Sequence, residues 1–254
     1  MVDKKFFFQL KIAELIISVT TLYRTCWLKC KDYLIPSELG EKRADISIDI
    51  VIRNIKQEND YAQKKDGEMY LYYDPGYLEY FAVHRKLCEA MPAFDAFLMH
   101  GVVIAYEGCG YLFSAPSGVG KTTRAMLWME QFPGSFIVNG DKPFIRFFED
   151  TVFAYGSPWC GKENLNTNIG IPLRAIFILE RTQDNEKSCL HRVKVSEVYI
   201  DLLKQIYLPQ DKNSRIKTLE LVQRLDGLVE IYRFKSEPSK ASMKLAWETV
   251  NKNE

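Results

Sequence analysis

Alternation of apolar and polar positions is the first regular feature of the chain. Residues 46–50 place isoleucine at every second position, with Ser47 and Asp49 between, which is the period-two pattern of a strand with one buried face. Short segments of this kind, separated by polar residues, make residues 1–90 a predicted β-rich extension. The further expectations for this extension are a charged loop over 57–67, a strand over 69–73, and a helix over 85–91 that Pro92 ends.

Two apolar runs joined by a tight turn open the remaining part of the chain, residues 91–254. The runs at 101–106 and 111–114 flank the sequence Glu-Gly-Cys-Gly, and this pattern predicts a β-hairpin. A helix is predicted from Thr123 to about Gln131, where Pro and Gly follow. Further strands are predicted over 135–139, 143–148 and 174–180, and further helices over 195–207 and 239–251. We therefore expect an α/β core at residues 91–254 with a mixed sheet.

The segment between the hairpin and its helix carries the first chemistry. Residues 115–122 read Ala-Pro-Ser-Gly-Val-Gly-Lys-Thr, which matches the Walker A pattern except that alanine replaces the usual first glycine. Glycines allow successive amide N–H groups to point at one anion, and the amino terminus of the helix adds donors and a positive dipole. Lys121 would reach the β- and γ-phosphates, and the Thr122 hydroxyl would bind magnesium.

This segment therefore predicts a site for ATP with Mg2+. The alternative is a glycine turn before an ordinary amphipathic helix, and the order of strand, loop and helix favours the nucleotide site. The residues assigned to nucleotide contacts are Pro116, Ser117, Gly118, Val119, Gly120, Lys121, Thr122 and Thr123.

Asp141 is the acidic residue expected to act together with the 115–122 segment. Asp141 comes after Lys121 by one predicted helix and one predicted strand. Its carboxylate can hold magnesium together with Thr122, or it can accept the proton of an attacking hydroxyl. The alternative is a turn residue, because the sequence Asn-Gly-Asp-Lys-Pro at 139–143 favours turns.

Composition and charge narrow the class of partner. The chain has 254 residues and a formal net charge of +1, which gives no electrostatic reason to expect nucleic acid or a membrane surface as partner. Lys11 and Glu14 interrupt the apolar segment at 6–23, so no transmembrane helix is predicted. The sequence Thr-Cys-Trp-Leu at 25–28 does not look like a cleavage site with small residues, so no signal peptide is predicted either. We expect a cytoplasmic protein whose scattered cysteines are reduced and form no zinc site.

Further motifs lie on both sides of the 115–122 segment. They are Tyr-Leu-Phe-Ser-Ala-Pro-Ser-Gly at 111–118, Leu-Trp at 127–128, Asn-Gly-Asp-Lys-Pro at 139–143, Tyr-Gly-Ser-Pro-Trp-Cys-Gly-Lys at 155–162, Asn-Leu-Asn-Thr-Asn at 164–168, Pro-Leu-Arg-Ala-Ile at 172–176 and Leu-Glu-Arg at 179–181. With His-Gly-Val-Val at 100–103, they resemble HPr kinase/phosphorylase, a family that shares its core with ATP-dependent phosphoenolpyruvate carboxykinase. The resemblance is stronger to a branch of short HPr-kinase-like proteins often found with peptide-modification enzymes.

The resemblance implies a P-loop kinase core that uses ATP and Mg2+ to phosphorylate a serine-type hydroxyl. The acceptor would be a peptide or protein, including a modified-peptide precursor, or a small hydroxyl-bearing molecule, and a homo-oligomer stays open. His100 matches the histidine that the family places near the phosphates, although a core or capping role is the alternative. The catalytic residues expected from the resemblance and the loop are Asp141, Lys121 and His100.

One position departs from the family pattern. The family has two adjacent aspartates after its second strand, and here Gly140 stands at the first position and Asp141 at the second. Either one carboxylate does both jobs or another acid, such as Glu163, supplies the second. The reverse, phosphorylase reaction divides acid and base roles between two carboxylates, so we predict a one-way kinase.

The segment at 155–168 is the predicted acceptor loop. Its glycines and proline shape the backbone, Lys162 can meet a phosphate, and its asparagines can orient a hydroxyl. The alternative is a surface loop anchored by its tryptophan. The residues assigned to the acceptor are Trp159, Lys162, Glu163, Asn164 and Asn166.

Two other classes of function stay open. A carboxykinase-like lyase would need a second metal site and basic residues for a dicarboxylate, usually on a longer chain. A nucleotide-binding regulatory module that never transfers phosphate is favoured by the glycine at position 140.

Overall fold

The chain forms two compact units, Met1–Ala90 and Met91–Glu254, in a computed structural model that describes residues 5–66, 73–180 and 188–252. Within the described residues, no helix combines the length and the apolar character needed to cross a membrane.

The first unit combines a small sheet with helices. Its elements are β1 (Phe6–Ile12), β2 (Leu15–Thr21), α1 (Thr25–Lys29), β3 (Ile46–Asp49), α2 (Ile52–Asp66) and α3 (Pro75–Ala90). Strands β1 and β2 form an antiparallel hairpin, and β3 pairs with β2 in parallel. The strand predicted at 46–50 is confirmed by β3. The description of this unit as β-rich needs correction, because its two longest elements are helices.

The predicted charged loop at 57–67 is wrong, because α2 extends through it to Asp66. Its Lys, Glu, Gln and Ala residues are good helix formers, so a run of charges does not exclude a helix. Glu58 accepts hydrogen bonds from Nε and Nη2 of Arg85 in α3, which ties the two helices together. The strand predicted at 69–73 lies outside the described residues except for Tyr73.

The second unit is a mixed α/β structure around a sheet that has nine strands among the described residues. Its elements are β4 (Ala96–Leu98), β5 (Val102–Tyr106), β6 (Cys109–Ser114), α4 (Lys121–Gln131), β7 (Phe136–Asn139), β8 (Phe144–Phe148), β9 (Thr151–Tyr155), β10 (Gly170–Glu180), β11 (Cys189–Val193), α5 (Val195–Leu203), α6 (Lys212–Arg224), β12 (Glu230–Lys235) and α7 (Lys240–Asn251). The predicted hairpin is confirmed, since β5 and β6 pair in antiparallel register.

The sheet has the strand order β4-β8-β9-β10-β6-β5-β7, and β12 pairs with β10 and β11. Strand β10 joins the part of the sheet formed by β4, β8 and β9 to the part that contains β6, β5 and β7. It is antiparallel to β9 and parallel to both β6 and β12. Strands β6 and β7 are each antiparallel to β5, which lies between them. Their carboxyl ends therefore meet at the same edge of the sheet.

Two apolar clusters cover the faces of this sheet, as alternating side chains require. Leu112 belongs to the cluster that includes residues of α5 and α6, whereas its neighbour Phe113 belongs to the cluster that includes residues of α4 and α7. Trp128 of α4 is fully buried in the second cluster, where its ring packs against those of Tyr111, Phe113 and Phe132. This packing fixes α4, and with it the loop that precedes α4, against the sheet.

Candidate functional site

The loop at residues 115–120, between β6 and α4, is called the glycine loop below. Gly118 and Gly120 adopt φ angles of 80° and 92°, a left-handed region that favours glycine. Lys121, the first residue of α4, folds back over this loop and donates from Nζ to the carbonyl of Ala115 at 2.8 Å. Its side chain is only 9% exposed. Burial lowers the pKa of Lys121, and the charge of Asp141 partly offsets this effect.

The other residues assigned to the nucleotide surround this lysine. Pro116, Ser117 and Gly118 are exposed, whereas Val119 and Gly120 are half-buried. In the first turn of α4, Thr122 is half-buried and Thr123 is exposed. The loop therefore presents backbone and hydroxyl groups to solvent beside one buried ammonium group.

Asp141 follows the carboxyl end of β7 and is held there by the residue that ends this strand. The fully buried Asn139 accepts hydrogen bonds at Oδ1 from the backbone N–H groups of Asp141 and Lys142, at 2.9 and 2.7 Å. Its Nδ2 donates to the carbonyl and hydroxyl of Ser157, at 3.0 and 3.1 Å. The turn tendency of residues 139–143 is thus present, and its result is a fixed position for the Asp141 carboxylate.

His100 lies directly beside this carboxylate. Its Nε2 is 3.1 Å from Asp141 Oδ1, and its backbone carbonyl accepts a hydrogen bond from the hydroxyl of Ser114, the last residue of β6, at 2.9 Å. The next residue, Gly101, donates its N–H to the carbonyl of Asp141 at 2.9 Å. His100 therefore links the strand that enters the glycine loop to the acidic residue of the site.

Gln205 is a member of the site that the sequence did not indicate. Its Oε1 lies 2.9 Å from Nδ1 of His100, and its carbonyl accepts the His100 N–H at 2.6 Å. It lies within the helix predicted at 195–207, but α5 ends at Leu203, and the segment after it pairs with the approach to β5. No motif marks this residue, because its partner is 105 positions away.

The electrostatic state of Asp141 follows from these contacts. Burial alone would raise the pKa of its carboxyl group, but the hydrogen bonds from His100 and from Lys142, whose Nζ is 2.6 Å from Oδ2, outweigh it. The pKa of Asp141 is therefore well below its usual range. A carboxylate of this kind stays ionised and suits a cation better than it suits a proton.

The segment at 155–168, called the acceptor loop below after its predicted role, lies along the outer edge of β7. Gly140 donates to the carbonyl of Leu165 at 2.9 Å, and Thr167 donates to that of Val138 at 3.0 Å. A Cβ atom at position 140 would lie only 2.9 Å from the carbonyl oxygen of Cys160. The close approach of this loop therefore leaves no room for a side chain at position 140.

The acceptor loop divides into buried and exposed parts. Trp159 is only 3% exposed, so it anchors the loop, which is the alternative that the sequence left open for it. Lys162, Glu163 and Asn164 are exposed, whereas Asn166 is half-buried and donates to Sγ of Cys160 at 3.0 Å.

Glu163 lies on the same side of the site as Asp141. A Cβ atom placed at Gly161 would lie 3.3 Å from Cβ of Asp141 and 3.5 Å from Oε2 of Glu163, so Gly161 separates the two acidic side chains. The described residues contain no group of three or more His, Cys, Asp or Glu side chains placed to hold a metal ion. A magnesium ion here would need the phosphates of a nucleotide as ligands in addition to Asp141 and Thr122, which is the usual way in which proteins bind this ion.

No protein-family model matches the sequence, and neither does any curated protein. Among solved structures, the HPr(Ser) kinase/phosphatase from Coxiella burnetii matches with 12% sequence identity and a TM-score of 0.29, over 50% of this chain and 94% of that chain. This is a distant structural likeness. The HPr-kinase-like core expected from the motifs therefore stays a prediction.

Proposed function

We propose that the chain is an ATP-dependent kinase that transfers the γ-phosphate to a serine-type hydroxyl of a peptide, a protein or a small molecule. The observation that carries the proposal is that Lys121 and Asp141 follow the carboxyl ends of two strands of the same direction, β6 and β7, at one edge of the sheet. Lys121 is the first residue of α4 and follows a loop whose two glycines have left-handed φ angles. Asp141 follows β7, and its charge raises the pKa of Lys121. A buried ammonium group and an ionised carboxylate at the same edge of the sheet suit a phosphate chain with its cation.

Each residue then has a role that its position allows. The backbone N–H groups of residues 117–123 hold the phosphates, and Lys121 places a positive charge on the group in transfer. Thr122 and Asp141 would hold Mg2+, which would neutralise charge on the phosphates. His100 fixes the direction of the Asp141 carboxylate through its bond of 3.1 Å.

The depressed pKa of Asp141 bears on the choice between its two roles. A weak base gains little from accepting a proton, whereas phosphoryl transfer through a loose transition state depends mainly on position and charge. We therefore assign Asp141 to the cation first. The exposed residues of the acceptor loop, Lys162, Glu163 and Asn164, would orient the hydroxyl. Because position 140 has no room for a second carboxylate, transfer is proposed to run in the forward direction only.

One observation favours a second candidate, a nucleotide-binding module that does not transfer phosphate. Both carboxylate oxygens of Asp141 are engaged, by His100 at 3.1 Å and by Lys142 at 2.6 Å. If these contacts persist with nucleotide bound, Asp141 has little capacity left for chemistry. Both candidates bind the nucleotide, but only the kinase converts ATP to ADP.

The test combines calorimetry with an assay for ADP release from Mg·ATP in the presence of serine-containing peptides. Wild type should bind Mg·ATP and release ADP with at least one acceptor. Lys121→Ala should lose both properties, whereas Asp141→Asn, which removes the charge assigned to the cation, should lose about a hundredfold or more in turnover and less in affinity. Lys244→Ala, which removes an exposed lysine of α7, is the matched control.

Three results separate the readings. Binding without ADP release, for all acceptors, would favour the regulatory module. Failure of the wild type to bind Mg·ATP would overturn both candidates. Release of the hydroxyl from a phosphorylated acceptor, in the presence of inorganic phosphate, would contradict the one-way direction.

A further inference from the structure

Arg124, in the first turn of α4, is a buried cation beneath the glycine loop. Its side chain is only 3% exposed. Nη1 donates to the carbonyls of Val119 and Gly120, at 2.9 and 3.4 Å, Nε donates to the hydroxyl of Ser236 at 3.3 Å, and Nη2 donates to the carbonyl of Ser236. Within the described residues, all these bonds end on neutral oxygens. Neutral dipoles only partly offset the cost of removing a guanidinium charge from water.

A second buried cation lies one turn away on the same helix. Lys121 bonds to the carbonyls of Ala115 and Pro116, at 2.8 and 3.4 Å, and these acceptors are also neutral. Like charges three residues apart on a helix repel each other, and the helix amino terminus adds positive potential at the same place. Glycine at position 120 is part of this arrangement, since a Cβ atom there would lie 3.1 Å from Nη1 of Arg124. The site therefore favours an anion with more than one negative charge.

Arg124 also connects two segments that are distant in sequence. Its guanidinium group spans from the end of the glycine loop to Ser236, which directly follows β12 and is buried. Residues 236–239, called the α7 turn below, lead into α7. Ser239 caps this helix, and the Ser242 hydroxyl donates to the carbonyl of Glu237 at 2.8 Å. A shift of Arg124 would therefore reach the start of α7.

We propose that Arg124 is a second fixed positive charge for the phosphates of a bound nucleotide and that it couples occupancy of the glycine loop to the order of the α7 turn. The inference deepens the proposed function, on which it rests. A polyphosphate in the loop supplies the counter-charge that Arg124 lacks among the described residues, so the guanidinium group and both segments bound to it become better ordered. Arg124 is a positioning residue, because its atoms contact the loop backbone from below.

The test uses the full chain and hydrogen exchange measured by mass spectrometry, with Mg·ATP and with inorganic tripolyphosphate as ligands. Arg124→Met removes the charge and keeps an apolar stem, whereas Arg124→Lys keeps the charge but cannot bond to both segments at once. Arg215→Met is the matched control, since Arg215 also bonds to carbonyls, those of Pro209 and Gln210, but lies in α6.

In the wild type, both ligands should slow amide exchange in the glycine loop and in the α7 turn. Arg124→Met should weaken tripolyphosphate binding by about tenfold or more, which is the scale of one lost charge interaction at a buried site. Arg124→Lys should lose less affinity but should no longer transmit protection to the α7 turn. Arg215→Met should behave as wild type.

Protection of the α7 turn in ligand-bound Arg124→Lys would overturn the coupling, and this result decides the matter even if Arg124→Met does not fold. Unchanged tripolyphosphate affinity in a folded Arg124→Met would overturn the role of its charge. Protection by tripolyphosphate but not by Mg·ATP would keep Arg124 as a charge for a polyphosphate and would overturn the nucleotide as the ligand, and with it the proposed function. A wild-type glycine loop that neither ligand protects would overturn both proposals.

Discussion

At the residue scale, the contacts of Asp141 make the stability of the fold depend on whether this carboxylate is ionised. Because its pKa in the folded protein is depressed by His100 and Lys142, the carboxylate contributes stability that is complete above its unfolded pKa of about 4. That contribution is lost as the pH falls towards the folded pKa. The acidic residue of the site is therefore also part of what holds strands β5 and β7 together.

We expect Asp141→Asn to be less stable than wild type at pH 7, and the difference to narrow as the pH falls below about 4. Urea unfolding at a series of pH values measures it. Asp150→Asn, which changes an exposed turn residue, should show no such dependence. A difference that stays constant with pH would mean that the Asp141 carboxylate is not held as described.

Position 140 allows a second prediction at this scale. Gly140→Asp should fail to create a pair of carboxylates, because its Cβ would lie 2.9 Å from the carbonyl oxygen of Cys160. We expect a loss of about 1–3 kcal/mol in the free energy of unfolding, the usual cost of overpacking. Gly140→Ala is the matched control and should lose a similar amount, since it adds the same atom. Wild-type stability in both variants would show that the acceptor loop does not lie so close.

Sequence patterns indicated those residues of the candidate site that lie close to one another in the sequence. The glycine loop and Lys121 follow from one short motif, and Asp141 follows from its place after the next strand. Gln205 and Arg124 could not be found in this way, because each acts on a residue about a hundred positions away through a contact that only the folded sheet creates. The burial of Trp159 likewise depends on packing that its flanking residues do not reveal.

At the element scale, Asn139 joins β7 to the acceptor loop. Its amide makes four hydrogen bonds in a fully buried position, two to the Asp141 turn and two to Ser157. The sequence predicted β7 correctly because its apolar run is short and bounded by turn residues. It missed α2, whose charged residues hide a helical pattern, and it ended the helix over 195–207 too late.

Asn139→Ala should therefore cost at least about 2 kcal/mol in the free energy of unfolding, since buried groups lose their partners on both sides. It should also increase proteolysis within the acceptor loop, measured by limited digestion and mass spectrometry. The control Asn213→Ala, on the exposed side of α6, should change neither. If the variant were less stable but its acceptor loop still resisted proteolysis, Asn139 would not be what holds that loop in place.

At the scale of the whole molecule, each of the two units has buried apolar residues of its own. All residues assigned to the nucleotide, the cation and the acceptor lie in the second unit. We expect a fragment of residues 91–254 to unfold cooperatively and to bind Mg·ATP within about threefold of the full chain. Calorimetric titration of both proteins measures this. A fragment that aggregates or melts without cooperativity would show that residues 1–90 are required for folding.

The place of β10 in the sheet also sets an order of events on the ribosome. Strand β6 ends at Ser114, yet its parallel neighbour begins to pair only at Leu173, and β12 follows from Glu230. At about 5–20 residues per second, the apolar edge of β6 waits several seconds for a partner. During that interval the nascent hairpin exposes an edge that can pair with other chains. The edge of the sheet that carries the glycine loop and Asp141 is thus completed late in translation, and we expect chaperone supply to affect the yield of folded protein.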